Sequence, residues 1–398
     1  MSDDEAERLG LSTLAVHGGE PVVREDRSLT TPVVHASAYP FENTQELYEF
    51  MQGERPRPAE YGRYGNPTVE RAEAKVAALE GAEDAVVMAS GMAAITTTLL
   101  AMLRAGQHVV FTRDVYRKTR VFARQVLARY GVEVDIVEPS ASAVIDAMRA
   151  STRIVFTEAP TNPYLRVLDL GAVVQAAKER RIKTIIDATF ATPVNMQPLA
   201  HGVDLVIHSA TKYLGGHNDL LGGAVAGRAP IVGAIREFLG MTGAVLDPHG
   251  AYLLLRGLKT LALRVRQQNE SARRLADVLA EDPAVARVWY PLRPDHPDHD
   301  HAARYLRGGG GVVSFELHGG LAAGTRLVDA LQIPKLAPSL GGVESLVEQP
   351  ALMSFFELSP AEREAIGIRE GLVRLAVGVE EPDDLEADLR RALAQLRS

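Results

Sequence analysis

A series of short apolar runs, spaced by helix-length stretches, constrains this chain more than any other feature. Ala85–Met88, His108–Phe111, Val132–Val137, Ile154–Thr157, Thr184–Asp187 and Leu205–Ile207 each read as a buried strand. Helices are expected between them, from Ser90-Gly91 through about Leu103, over Arg117–Tyr130 and over Leu170–Arg180. Strands that alternate with helices predict an α/β fold with a mainly parallel sheet covered on both faces. Gly222–Ala226 reads as one more strand, at another position in the sheet. In such sheets ligands bind beyond the carboxyl ends of the strands, so the residues that close each run deserve the closest reading.

The pattern changes near residue 250. A long helix is expected from Gly250 to Ala280, then strands at Val312–Leu317 and Val373–Val377 and a helix over 383–396. The expected division is an N-terminal arm over 1–60, a large domain over 61–255 and a small C-terminal α+β domain over 256–398. Residues 1–30 read as irregular and Thr31–Val34 as a short extended piece. Residues 53–68 read as an exposed loop, after which Thr68 is expected to cap a helix from Val69 to Glu80 that Gly81 stops.

Composition narrows the function. The net charge of −8 gives no basic footprint for nucleic acid. A chain without cysteine has no disulfide, no thiolate metal site and no cysteine nucleophile, which suits a reducing cytoplasm. The acidic, polar residues 1–10 do not read as a signal peptide, and no apolar run is long enough to span a membrane.

The stretch His208–Asn218 places Lys212 just past a strand end, with Ser209 and Thr211 before it and two glycines after. A lysine there is either a surface residue of a loop or, partly desolvated, a usable amine nucleophile able to form a Schiff base with a carbonyl cofactor. Ser209 and Thr211, alternating on an extended backbone, can point at one phosphate. Ser90-Gly91-Met92 opens a helix whose free N–H groups can hold a phosphate, or is only a small-residue turn. Asp187 ends a strand and can pair with a protonated pyridine nitrogen, or cap a helix. Tyr116 can stack on a flat ring or fill the core, and Asn162 can bond a phenolic oxygen or shape its two-proline turn. Arg374, inside an apolar strand, suits either a substrate carboxylate or a structural salt bridge. His296, His299 and His301 lie in a Pro- and Asp-rich stretch read as surface, with nothing beside them to suggest a metal. The Gly308–Gly311 run lacks the lysine and hydroxyl of a phosphate loop.

Together these stretches resemble the Cys/Met-metabolism family of pyridoxal-phosphate enzymes. The motifs that carry it, in family order, include Tyr61–Thr68, Ser90–Ala94, Pro160–Pro163, Asp187–Pro193, the lysine stretch and Ser339–Leu346. The resemblance implies an aspartate-aminotransferase-like fold of type I with pyridoxal 5'-phosphate as cofactor. It implies that Lys212 holds the cofactor and shuttles protons, that Asp187 pairs with the pyridine nitrogen, and that Tyr116 stacks on the ring and assists proton transfer. Ser90, Gly91, Met92, Ser209 and Thr211 would hold the phosphate, with Tyr61 and Arg63 reaching it from a neighbouring subunit of a homotetramer. Arg374 would clamp the substrate α-carboxylate, with Asn162 and Ser339 nearby. The activity implied is γ-elimination or γ-replacement on a sulfur-containing or homoserine-type L-amino acid. β-Elimination, a specialised biosynthetic substrate and a non-catalytic cofactor-binding regulator are the alternatives.

The departures from the family pattern bear on that choice. Arg117 and Lys118 replace small residues after Tyr116, and they either favour an acidic or polar substrate side chain or point to solvent. Pro338 stands where cystathionine enzymes often have a glutamate. Ser354-Phe355 replaces a common Thr-His, and Ala188 a common Asn.

Overall fold

The computed structural model describes residues 9–21, 24, 27–54 and 60–396. Most of the acidic stretch 1–10 and part of the loop expected over 53–68 (residues 55–59) lie outside the described residues.

The first sheet contains β1 (Asp84–Met88), β2 (His108–Thr112), β3 (Glu133–Val137), β4 (Thr152–Glu158), β5 (Lys183–Asp187), β6 (Leu205–Ser209) and β7 (Gly223–Gly227). Their order is β1-β7-β6-β5-β4-β2-β3. Only β7 runs against its neighbours. This is the displaced strand expected at Gly222–Ala226, inserted between β1 and β6. Side chains alternate across the sheet into two packed layers. Val109 and Phe111 join one layer while Val110, Val155, Ile186 and Val206 join the other. Burial on both faces explains why the strands read as continuous apolar runs.

A second sheet contains β8 (Val285–Trp289), β9 (Val312–Leu317), β10 (Lys335–Leu336), β11 (Leu346–Glu348) and β12 (Leu372–Ala376), in the order β10-β11-β12-β9-β8. β9 and β12 match the expected strands. β10 and β11 are two and three residues long with a charge at one end, and β8 carries Arg287 at its centre, so periodicity did not reveal them.

Several expected elements differ in detail. The single helix expected over Gly250–Ala280 is two helices, Pro248–Lys259 and Leu261–Glu281, broken at Thr260. At the break Arg264 donates to the Gly257 carbonyl at 2.7 Å and to the Tyr213 carbonyl at 2.8 Å, tying both helices to the residue after Lys212. The helix expected over Arg117–Tyr130 winds as α over Arg117–Phe122, π over Ala123–Leu127 and 3-10 over Ala128–Tyr130. Leu11–His17 is a helix inside the stretch expected to be irregular. Thr31–Val34 lies outside both sheets and is held by Thr68, whose Oγ1 donates to Pro32 O and accepts from Val34 N. The helix after it runs from Pro67 to Glu80, and its cap is Asn66 rather than Thr68. Asn66 Oδ1 accepts from the N–H groups of Thr68 and Val69. His296 is buried rather than on a surface loop.

Lys75, on that helix, is fully buried. Its Nζ donates to the carbonyls of Ala15 and Val16 and pairs with Glu20 at 3.0 Å, so it locks the N-terminal helix onto the first sheet's covering layer. Lys75→Ala removes its two bonds to carbonyls and one of the three cations around Glu20, which keeps Arg24 and Lys259, and is expected to cost about 2 kcal/mol. A lowered thermal midpoint checks this, and an unchanged one contradicts it.

Candidate active site

The carboxyl ends of β2, β4, β5 and β6 lie along one edge of the sheet, and the residues singled out from the sequence close them. β5 ends at Asp187, which is 8% exposed. Its Oδ1 accepts from Thr189 N at 3.0 Å and from Thr189 Oγ1 at 2.5 Å. Thr189 Oγ1 in turn accepts from Ser209 N at 2.8 Å, so one threonine joins the ends of β5 and β6. Burial raises the Asp187 carboxyl above its ordinary range, and the two Thr189 bonds oppose that rise.

β6 ends at Ser209, and the backbone then turns. Thr211 therefore sits in the turn, not on an alternating strand with Ser209. Its hydroxyl is engaged by Gly222, accepting from Gly222 N at 2.9 Å. Lys212 follows on the same turn, with its N–H bonded to Ser209 O. Its Nζ donates to Ser339 Oγ at 2.6 Å. Burial, then the Arg374 charge, lower the Lys212 pKa to about 8. Ser339 has φ 99°, a left-handed backbone that a serine rarely adopts. Such a residue costs about 1–3 kcal/mol, a strain that collects at functional sites.

Ser90 ends the segment after β1 and caps the helix Gly91–Met102, its Oγ accepting from Ala93 N at 3.0 Å. The N–H groups of Gly91 and Met92 lie in the first turn, where no intrahelical acceptor exists. A Cβ at Gly91 would stand 2.7 Å from Ser209 Cβ, so only glycine lets this helix start approach the end of β6. Ser90, Gly91, Met92 and Ser209 thus form one polar rim.

Tyr116 precedes the helix Arg117–Phe122 and is 47% exposed, so it is not a core aromatic. Its N–H donates to Glu158 Oε1 at 2.5 Å. Glu158 ends β4 in register with Asp187.

Arg374 lies on β12 and is 5% exposed. Its guanidinium donates to Asn162 Oδ1 at 3.1 Å and to Ser339 O at 3.0 Å, and pairs with Glu348 Oε1 at 3.0 Å. Its Nε is buried without a hydrogen-bond partner. The second sheet therefore delivers an arginine to the serine that holds Lys212. A cleft of about 510 Å³, lined in part by Thr211, Pro338 and Ser339, adjoins this junction.

Tyr61 and Arg63 are directed elsewhere within the chain. Tyr61 is 45% exposed and bridges Ala38, and the Arg63 guanidinium lies over the rings of Tyr61 and Tyr64. Arg117 forms an ion pair with Glu357, and Arg120 lies 6.0 Å over the Phe355 ring. The departures at Arg117 and Phe355 thus belong to one contact between the Tyr116 helix and the segment after β11. Lys118 is exposed. Sequence reasoning passed over Glu158, Glu348 and Thr189 as site residues. Glu158 ends an apolar strand with a carboxylate, as Asp187 does, and that shared position was the available signal. Glu348 is legible only once β11 is known to pair with β12.

Known proteins are similar to this chain in sequence and in fold. Cystathionine gamma-synthase 1, chloroplastic, from Arabidopsis thaliana is 48% identical over 385 residues, 96% of this chain and 68% of that protein. L-methionine gamma-lyase from Fusobacterium nucleatum subsp. nucleatum is 40% identical, spanning 98% of this chain and 100% of that protein. The crystal structure of metB from Corynebacterium glutamicum superposes with a TM-score of 0.92 at 35% identity, covering 98% of this chain and 99% of that one. That of cystathione gamma lyase (CalE6) from Micromonospora echinospora gives 0.90 at 39% identity, covering 97% and 99%. The large, mainly parallel sheet with a smaller second sheet is the expected aspartate-aminotransferase-like, fold type I arrangement. Residues 12–394 match the profile of one family, and with these likenesses the chain belongs to it: the Cys/Met metabolism PLP-dependent enzymes.

Proposed function

We propose that this chain catalyses γ-elimination or γ-replacement on a sulfur-containing or homoserine-type L-amino acid. The observation that carries the reading is the link from Lys212 Nζ through Ser339 to the buried Arg374. It sets an amine base and a carboxylate clamp on either side of one serine.

The residues fit pyridoxal phosphate. A buried amine held to about 8 suits its aldehyde, Asp187 suits its ring nitrogen, and Ser209 with the open N–H groups of Gly91 and Met92 suits its phosphate. Ser90 and Thr211 would shape that phosphate end, and Tyr116 would flank the ring. The cofactor supplies a carbonyl that condenses with amines and a protonated ring that takes up the electrons of a broken C–H bond.

The chain's own groups do the rest. Arg374 and Asn162 hold the substrate α-carboxylate in planar, charge-assisted bonds, with Arg374 Nε already lacking a partner. Lys212, as a free amine, takes the α-proton. It then moves a second proton from the β-carbon, which lets the γ-substituent leave. Ser339 Oγ gives Lys212 a fixed resting place between these transfers. Water yields a 2-oxo acid and ammonia, whereas a thiol yields a new thioether.

We place the protein in the cytoplasm, in line with a cysteine-free chain, and in a homotetramer built from dimers that share active sites. The exposed Tyr61, and Arg63 stacked on the Tyr61 and Tyr64 rings, support a role across a subunit boundary.

The lowered Lys212 pKa gives a pH prediction. Only the neutral amine attacks a carbonyl, so capture of added pyridoxal phosphate by cofactor-free protein should speed up with pH and level off above about 8. A rate still climbing near pH ~10, the range of an ordinary lysine, contradicts it. The sign for stability agrees. The unfolded lysine titrates near 10.5, so burial of the charged amine costs stability at low pH, and that cost is relieved between about 8 and 10.5.

The function itself is tested by incubating holo-protein with L-methionine, L-homocysteine, L-cystathionine, L-cysteine and O-acyl-homoserines, with and without a thiol, and identifying products by mass spectrometry. 2-Oxobutyrate or a thioether is the expected product. Pyruvate from L-cysteine as the preferred reaction would assign β-elimination instead.

A further inference from the structure

We infer that Glu158 is a positioning residue that works as a neutral acid beneath the ring site, fixing the Tyr116 backbone and leaving Asp187 as the one negative partner there. The inference rests on the reading of Asp187 as the ring's partner.

The geometry begins with register. Glu158 and Asp187 close adjacent parallel strands at paired positions. Paired side chains on neighbouring strands share a face, about 4.8 Å apart in backbone. Both residues are buried, Glu158 at 4% exposure. Two carboxylates this close and this dry do not both ionise without a cation between them.

The surroundings decide which of them keeps the proton. Asp187 accepts an N–H and an O–H from Thr189, and both bonds favour its ionised form. Glu158 accepts one bond, from the Tyr116 backbone N–H. The charged groups that face Glu158 are Asp187 on β5, Asp114 after β2 and Arg120 on the Tyr116 helix. Two of these three are acids. Arg120, the only cation of the three, donates to the Arg113 carbonyl at 2.6 Å and covers the Phe355 ring. Burial first, and then Asp187, push the Glu158 carboxyl well above its ordinary range. A protonated Glu158 still accepts the Tyr116 N–H, and it adds no second negative charge under the ring. The bond ties the exposed Tyr116 to the end of β4, so the same strand edge sets the heights of Tyr116 and Asp187.

Two experiments test this. The first follows the thermal midpoint of cofactor-free wild type and Glu158→Gln from about pH 5 to about pH 8. An acid whose folded pKa is raised stabilises the fold while protonated and loses that contribution as pH rises. The wild-type midpoint should therefore fall across this range more steeply than that of Glu158→Gln. Equal slopes would overturn the neutral-acid assignment. The second compares dissociation constants for pyridoxal phosphate in Glu158→Gln and Glu158→Ala. Glutamine keeps an acceptor for the Tyr116 N–H and alanine does not, so alanine should bind about tenfold more weakly. Equal constants would overturn the positioning role. If Glu158→Ala does not fold, Glu158→Met, which fills the space without an accepting oxygen, takes its place in the same comparison. The pH series contains no cofactor, so its outcome is separate from whether Lys212 and Asp187 hold one.

Discussion

Lys212→Ala is expected to abolish the visible absorption of the bound cofactor and to lower turnover by about a thousandfold or more. No other described lysine stands in its place. Lys75 is held by Glu20 and two carbonyls on the helix Pro67–Glu80, and Lys118 is exposed. The variant should fold, because the lysine's one side-chain bond is to Ser339 Oγ, and that hydroxyl borders a cleft of about 510 Å³ that water can enter. Removal of a buried charge that prefers to be neutral should raise the thermal midpoint of the cofactor-free protein slightly at neutral pH. Retention of the visible band, with other lysines intact, would transfer the role of carbonyl partner away from Lys212.

Arg374→Leu is expected to have the second largest effect, through two separable routes. It removes the clamp for the α-carboxylate, so KM should rise by about a hundredfold, the scale of a charge-assisted, bidentate bond in a dry site. It also leaves Glu348, 2% exposed and paired with Arg374 at 3.0 Å, as a buried carboxylate without its cation. That break should cost about 3 kcal/mol of stability. The double variant Arg374→Leu with Glu348→Gln separates the two. It should recover most of the lost stability and none of the lost KM. If it recovers both, Arg374 is a structural cation alone and the carboxylate clamp lies elsewhere. Arg374→Lys should not rescue, because an ammonium cannot reach Asn162, Ser339 and a carboxylate together from one planar fork.

Much of the first sheet was legible because its strands are buried on both faces. Val109, Val110 and Phe111 face opposite layers and are all apolar, so the run stands out without any knowledge of pairing. The second sheet was harder. β11 has three residues and ends at the charged Glu348, and nothing local marks it as a strand. The break at Thr260 was equally hidden. The apolar pattern continues through it, and the cause is tertiary: Arg264 reaches back to Gly257 and across to Tyr213.

Site residues divide in the same way. Asp187 and Lys212 were visible because each follows an apolar run, where a charge needs a reason. Ser339 was named from a family resemblance, and Arg374 from its place inside an apolar strand. Their meeting with Lys212 depends on how the two sheets pack, which no local pattern encodes. The pairing of Arg117 with Glu357 spans 240 residues, and the sequence alone left the direction of that arginine open. Thr211 shows the opposite failure. It was read as an open hydroxyl from strand alternation, but the strand ends at Ser209 and the turn gives that hydroxyl to Gly222.

The central claim is that Lys212 moves protons at both the α- and the β-carbon, and it is tested most directly without any leaving group. Holo-protein is incubated in D2O with L-norleucine, whose side chain cannot depart, and the recovered amino acid is analysed by NMR. Exchange of the α-hydrogen and of β-hydrogens is the result predicted for γ-chemistry. Exchange confined to the α-hydrogen would contradict it, because β-elimination needs no proton from the β-carbon.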